Sequence, residues 1–114
     1  MYNSQNQQVG KIDSNGNIYN RNGSKIGKIE RDGTIRNGQN SQVGKISSDG
    51  RIYNRNNSQI GKIESDGVVR NSSNSQIGKI ENDGTVRNSS NSQIGKASGI
   101  PKAHAAVWFF FNLL

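Results

Sequence analysis

The chain has 114 residues and a formal net charge of +7, and it contains no cysteine. These values leave room for one domain and exclude disulfide bonds and thiolate metal sites. Only 29% of the residues are apolar, and ten of them lie in the last twelve positions. The rest is rich in Asn, Ser, Gln and Gly, a composition typical of disorder. We nevertheless expect an ordered chain, because the few Ile and Val residues keep a fixed phase.

That phase comes from the motif Val/Ile-Gly-Lys-Ile/Ala, which occurs six times at a spacing of 17 residues. The copies begin at Val9, Ile26, Val43, Ile60, Ile77 and Ile94. A strict period of this kind predicts an array of small units that are stable only together. We therefore divide the chain into six 17-residue β repeats over residues 1–97, the last of them partial, a hinge at 98–102 and an apolar segment at 103–114.

The first turn of each unit is a polar residue, then Asn or Asp, then Gly, as in Ser14-Asn15-Gly16. This order suits a three-residue hairpin loop that ends on a glycine in the left-handed region. A loop of that length places Ile12 opposite Ile18, so that two apolar residues face each other across the hairpin.

The second turn ends on Gly or Asn, as in Arg21-Asn22-Gly23, and these two residue types most readily adopt positive φ. A three-residue loop here predicts that Ile18 pairs with Ile26. The equivalent predicted pairs are Ile35–Val43, Ile52–Ile60, Val69–Ile77 and Val86–Ile94. Because both turns align apolar positions, the sequence favours an antiparallel β-meander.

A flat sheet does not fit the spacing of Ile26 and Ile29, because residues three apart on a regular strand point to opposite faces. The intervening Gly27 predicts a bulge or bend. Repeated bends predict an all-β fold in which the hairpin meander forms a petal-like ring or prism, with the apolar C-terminal segment as its core or plug. A β-solenoid is the alternative, but it would stack the motif lysines about 4.8 Å apart, where they repel.

The array resembles the β-flower domains, small bacterial proteins built from glycine-punctuated hairpins. The residues that carry the resemblance are Ile18–Gly27, Asp49–Arg55 and the apolar C-terminus after a Gly/Ala-rich hinge. The resemblance implies either the four-fold β-flower family or a relative with more repeats. It implies no activity.

Residues 103–114 break the repeat after Pro101, which prevents ordinary strand continuation. They contain the single Trp and all three Phe, and burying such a side chain contributes about 1.5–3 kcal/mol. We expect this segment to fill the ring, within one chain or between the copies of a homo-oligomer. The alternatives are a disordered tail or insertion into a partner or a membrane interface, since twelve residues are too few for a span of about twenty. The contacting residues would be Trp108, Phe109, Phe110, Phe111, Leu113 and Leu114.

The sequence contains no catalytic, cofactor or metal motif, and we expect no enzyme. His104 is the single histidine, and the Asp residues are explained by turn chemistry. We expect Glu30, Glu64 and Glu81 to balance neighbouring lysines.

The motif lysines could form a ring that binds a polyanion, reinforced by Arg36, Arg70 and Arg87. These lysines are Lys11, Lys28, Lys45, Lys62, Lys79 and Lys96. Only Tyr19 and Tyr53 offer stacking surfaces in the repeats, so we expect no specific nucleic-acid binding.

The function we expect is that of a structural or low-specificity binding scaffold. The alternatives are a cationic module that contacts membranes or surfaces through the aromatic tail, and a binder of acidic glycan or nucleic acid. The sequence predicts no signal peptide and no transmembrane span. It leaves the location open between the bacterial cytoplasm and the cell surface.

Overall fold

The computed structural model describes residues 1–111 and 113, which form one 12-stranded antiparallel sheet and a short helical tail. The strands are β1 (Tyr2–Asn3), β2 (Gly10–Ile12), β3 (Asn17–Asn20), β4 (Lys25–Ile29), β5 (Thr34–Asn37), β6 (Gln42–Ile46), β7 (Arg51–Asn54), β8 (Gln59–Ile63), β9 (Val68–Asn71), β10 (Gln76–Ile80), β11 (Thr85–Asn88) and β12 (Gln93–Lys96). The tail consists of the helix α1 (Lys102–Ala106) and a π-helical segment, Val107–Phe111. The all-β meander is confirmed, and the antiparallel pairing shows that the solenoid alternative is wrong.

The N-terminal strand closes this sheet into a ring. On one side β1 pairs with β12, with Tyr2 opposite Lys96. On the other side the Met1 amine donates to the Gly10 carbonyl at 2.7 Å, and the Val9 N–H donates to the Met1 carbonyl at 2.9 Å. The wall therefore consists of five covalent hairpins and a sixth position assembled from β12 and β1. The Cα trace of the molecule measures 34 × 33 × 18 Å.

The first turn of each unit has the predicted geometry. Ile12 lies opposite Ile18, and Gly16 has a φ of 87°. The equivalent observed pairs are Ile29–Ile35, Ile46–Ile52, Ile63–Val69 and Ile80–Val86. The Ile29 N–H donates to the Gly16 carbonyl at 2.9 Å. A Cβ on Gly16 would overlap the carbonyl group of Ile29. Glycine is therefore needed both for its φ and for the contact between successive hairpins.

The second turn is also confirmed, but the pairing predicted beyond it is wrong by one residue. Gly23 has a φ of 82°, and Asn residues take the same conformation in the later units. The register then shifts, so that Ile18 pairs with Gly27 and not with Ile26. The shift also replaces the predicted pairs Ile35–Val43, Ile52–Ile60, Val69–Ile77 and Val86–Ile94 by pairs with Gly44, Gly61, Gly78 and Gly95. A β-bulge beside the glycine, which the sequence predicted, inserts the extra residue that moves the register.

The core lies inside the ring and includes both the wall and the tail. Ile18, Ile35 and Ile52 are fully buried in the wall, and Ala105 to Val107 are fully buried in the tail. The apolar C-terminal segment is thus part of the core, as the sequence predicted.

Candidate functional site

The tail enters the ring at the end formed by the first turns of the units, which we call the Asp–Gly turns although the first of them has Asn15 in place of Asp. The Lys102 Nζ donates to the Asn82 side-chain oxygen at 2.7 Å, and the Ser98 hydroxyl donates to the Asp83 carbonyl at 3.3 Å. Both acceptors belong to an Asp–Gly turn. From this anchor the helix α1 runs into the ring, where Ala105 and Ala106 are buried.

In the middle of the wall, large tail side chains lie against glycines of the repeated motif. A Cβ on Gly10 would come within 2.5 Å of the Trp108 ring, and one on Gly95 would come equally close to Phe109. The remaining pairs are Phe110 on Gly78, Phe111 on Gly61 and Leu113 on Gly44. Each of these glycines thus forms a recess for one side chain. Sequence reasoning assigned them only a bulge or a bend. Their recurrence once per unit, together with the run of bulky residues in the tail, was the signal for the recesses.

The π-helical form of Val107–Phe111 fits this arrangement. Trp108, Phe109, Phe110 and Phe111 are consecutive, and they reach recesses in successive units around the ring. An α-helix turns by about 100° per residue, whereas six positions divide a circle into steps of about 60°. A π-helix bonds residues five apart and turns less per residue, so its side chains follow the ring more closely.

The aromatic side chains are only partly buried. Trp108, the three phenylalanines and Leu113 all retain some exposure, as do the apolar residues that follow the second turns. These flanking residues are Val9, Ile26, Ile60, Ile77 and Ile94. The described part of the tail and the strand ends at the second turns thus share partly exposed apolar residues. Leu114, the last residue predicted for this contact, lies outside the described residues.

The two ends of the strands differ in charge. We call the Asp–Gly turns with their flanks the Asp rim, which covers 13–17, 30–34, 47–51, 64–68 and 81–85. We call the opposite turns the Asn rim, which covers 3–8, 20–25, 37–42, 54–59, 71–76 and 88–93. All eight side-chain carboxylates of the sequence lie in the Asp rim. The Asn rim contains none, and its cations are Arg21, Lys25 and Arg55.

Arginines, and not the predicted lysines, balance the glutamates of the Asp rim. Glu30 pairs with Arg36 at 3.1 Å across the hairpin, and Glu64 pairs with Arg70 at 3.2 Å. Arg87 pairs with Glu81 in the same way. Where a unit has Tyr19 in place of this arginine, its hydroxyl donates to Asp13 at 3.4 Å. The sequence contained a signal for this pairing, because each unit with a Glu at this position has an Arg six residues later.

Two aspartates of the Asp rim, Asp32 and Asp83, are held in the charged form by hydrogen bonds within their own turns. The Thr34 N–H donates to Asp32 at 3.0 Å and lowers the pKa of that carboxyl. The Thr85 N–H does the same for the pKa of Asp83. Asp32 and Asp83 thus keep their negative charges to a pH below the ordinary range of aspartate, because hydrogen bonds to the charged form lower each pKa.

The predicted lysine ring lies on the outer face of the wall, because each lysine follows an inward-facing motif glycine on its strand. Lys28 stands opposite Arg36, and Lys62 stands opposite Arg70. All four ion pairs found in the described part of the chain use arginine, and none uses a motif lysine. The structure thus places the six lysines around the wall, while Arg36 and Arg70 are already engaged with glutamates.

His104 lies in an open groove of about 560 Å³ between two Asp–Gly turns, beside Lys28, Glu30 and Arg31. Its Nδ1 is buried without a hydrogen-bond partner, and burial lowers the pKa of the imidazole. Among residues 1–111 and 113, no three His, Asp or Glu side chains are grouped closely enough to hold a metal ion.

No helix within the described residues has the length and hydropathy needed to cross a bilayer. A family model described as "5-fold beta-flower protein" matches residues 1–113. No curated protein and no solved structure matches the chain. Of the two alternatives that the sequence left open, the match selects the relative with more than four repeats.

Proposed function

This chain belongs to the five-fold β-flower family, and we propose that it is a non-enzymatic scaffold that attaches to anionic membrane surfaces through its Asn rim. The family description names an architecture and no reaction. The observation that carries the proposal is the coincidence of two features on one side of the ring, the absence of carboxylates and the partly exposed aromatic residues.

The charge distribution orients the ring at such a surface. Arg21, Lys25 and Arg55 are exposed on the Asn rim, and a cation near an anionic leaflet contributes about 1 kcal/mol of attraction. The eight carboxylates are at the opposite ends of the strands, where repulsion from the lipid headgroups is weakest because it falls off within a Debye length.

The aromatic residues supply the second contribution. Trp108 and its phenylalanine neighbours lie at the centre of the ring with part of each side chain exposed. Trp side chains favour the headgroup level of a bilayer, where apolar contact and cations act together. Because the ring wall holds these residues in place, they contact the surface without a spanning helix.

Co-sedimentation with vesicles tests the proposal. We expect binding to vesicles of phosphatidylcholine and phosphatidylglycerol and little binding to phosphatidylcholine alone. Replacing the three rim cations (Arg21→Gln, Lys25→Gln, Arg55→Gln) removes about 3 kcal/mol of attraction, which weakens binding about a hundredfold.

The matched control removes three charges from the wall (Lys11→Gln, Lys45→Gln, Lys79→Gln) and leaves the Asn rim intact. We expect it to lose much less affinity for the vesicles than the rim variant. Equal losses in both variants, or equal binding to charged and uncharged vesicles, would contradict attachment through the Asn rim.

A second candidate function is polyanion binding by the wall. It is favoured by the even distribution of the motif lysines and by the absence of ion pairs from them to carboxylates in the described residues. Each lysine that contacts the polymer releases counterions, so retention on heparin should fall steeply with salt. The wall variant should then elute at lower salt than the rim variant, and unchanged elution of the wall variant would exclude this function.

A further inference from the structure

The inner face of the wall recognises the tail by shape. Trp108 and Phe109 to Phe111 occupy the recesses at Gly10, Gly95, Gly78 and Gly61, one side chain for each unit. A segment shifted by one residue would place a differently sized side chain in two of these four recesses, including the one that holds Trp108. This arrangement is a helix-binding site with its own sequence requirement, an apolar run with consecutive aromatic residues.

Little other than apolar contact fixes the tail. Within the described residues of the tail, 102–111 and 113, one side-chain hydrogen bond reaches the wall, from Lys102 to Asn82. Ala105, Ala106 and Val107 are at most 1% exposed, so the attraction comes from buried apolar area and packing. Such contacts form equally well whether or not the segment belongs to the same chain.

A short exposed turn provides the covalent connection. The Ile100 N–H donates to the Ala97 carbonyl at a long 3.3 Å, and Gly99 has a φ of 73° with no atom near its Cβ position. Opening this turn breaks that weak hydrogen bond and the one from the Ser98 hydroxyl to the Asp83 carbonyl, and it releases Gly99 from the left-handed region. The four residues 98–101 then reach about 14 Å when extended.

We propose that the ring also accepts the tail of a second copy of this chain, so that two rings exchange tails with their Asp rims facing each other. Exchange recreates every contact between tail and recesses, so the free energy changes only through the hinge, the new contact between rims and the freedom that two chains lose when they associate. The Asp rims carry both signs of charge, including Arg31 and Lys102 beside the carboxylates, and can pair. The Asn rims carry cations alone and repel one another.

Cross-linking of single-cysteine variants tests the exchange, since the natural chain has no cysteine. One copy carries Asn82→Cys and the other carries Lys102→Cys, at the two positions whose side chains are hydrogen-bonded. The two full-length chains are co-expressed, purified and treated with a short bis-maleimide reagent. A cross-link between copies forms only when the tail of one copy lies in the ring of the other.

Two controls interpret the result. In the first control, one chain carries both Asn82→Cys and Lys102→Cys, and its cross-link reports the contact within one ring. In the second, Ser73→Cys on the Asn rim replaces Asn82→Cys in the mixed pair, and its cross-link reports random collision. We expect the Asn82–Lys102 pair to give at least ten times more cross-linked dimer than the Ser73 pair, with a dimer mass by light scattering. An intramolecular cross-link in the double variant without intermolecular cross-linking above the collision control would overturn the proposal, as would the absence of both cross-links.

Discussion

The Asp rim and the Asn rim are made by the same hairpins, yet they hold themselves together in different ways. At the Asp rim the turn glycine bonds to the next hairpin, as Gly16 does with Ile29. At the Asn rim each turn is closed from within, as when Asn20 accepts the N–H groups of Asn22 and Ser24. The Asp rim therefore joins the units, whereas the Asn rim is free to vary its exposed residues. This difference explains why close glycine contacts between hairpins occur at the Asp rim.

The largest effect that we expect comes from adding a methyl group to a turn glycine of the Asp rim. Gly67→Ala places a side chain at a φ of 93° and against the Ile80 carbonyl, which forces two hairpins apart. We expect a loss of roughly 3–5 kcal/mol in the free energy of unfolding, measured in urea.

The matched change on the Asn rim is Gly23→Ala, which has a similar φ of 82° but no atom within 4 Å of the new Cβ. Backbone strain alone should cost about 1–2 kcal/mol there. If both variants lose the same stability, the contact between hairpins at the Asp rim contributes nothing, and the distinction between the rims fails.

A smaller effect should appear in the recesses of the wall. Gly78→Ala would overlap both the Phe110 ring and the Arg87 carbonyl of the paired strand, and we expect it to cost about 2 kcal/mol by overpacking. Shortening the facing side chain by Phe110→Ala should make Gly78→Ala partly tolerable. A double-mutant cycle in urea should therefore give a favourable coupling of about 1 kcal/mol between the two changes.

The control for this cycle pairs Phe110→Ala with Gly38→Ala, since the nearest atom to a Cβ on Gly38 is 3.5 Å away and belongs to the backbone of Lys25. That pair should be additive. Additivity in both pairs would mean that Phe110 does not occupy the Gly78 recess in solution.

The smallest effect concerns His104 at the Asp rim. Burial without a partner for Nδ1 lowers its pKa in the folded state below the ordinary value of 6.5. The unfolded chain therefore binds the proton more readily, so stability falls as the pH drops through that value. The groove also holds Lys28, Glu30 and Arg31, of which Glu30 pairs with Arg36.

We expect His104→Gln to be less sensitive to a change from pH 7.5 to pH 5 than the natural chain, as measured by its melting temperature. A variant of an Asn-rim residue, Ser73→Gln, should keep the natural pH dependence. Identical pH dependence of the His104 variant and the natural chain would show that the imidazole is not desolvated in solution.

The sequence predicted the hairpins because their turns are encoded locally. Gly and Asn at the left-handed positions specify loop length, and loop length specifies the pairing of Ile12 with Ile18. The pairing of Ile18 could not be predicted to the residue, because a bulge is a property of two strands and the sequence indicates only its neighbourhood.

The recesses were missed for a related reason. A glycine within a strand indicates a close approach or a bend, and which of these applies depends on what lies opposite. Here the opposite element is the tail, more than 80 positions away from Gly10 in the sequence. The sequence predicted that the aromatic segment would fill the ring. It did not predict that consecutive residues of the tail would occupy successive units, because that arrangement depends on the π-helical geometry.

Two fluorescent probes test the proposed orientation of the ring most directly. A polarity-sensitive dye is attached to a single cysteine at Ser73→Cys on the Asn rim or at Ser65→Cys on the Asp rim, both exposed positions. On addition of vesicles containing phosphatidylglycerol, we expect a blue shift for the dye at position 73 and none for the dye at position 65. A shift at position 65 alone, or equal shifts at both positions, would contradict an Asn rim that faces the membrane.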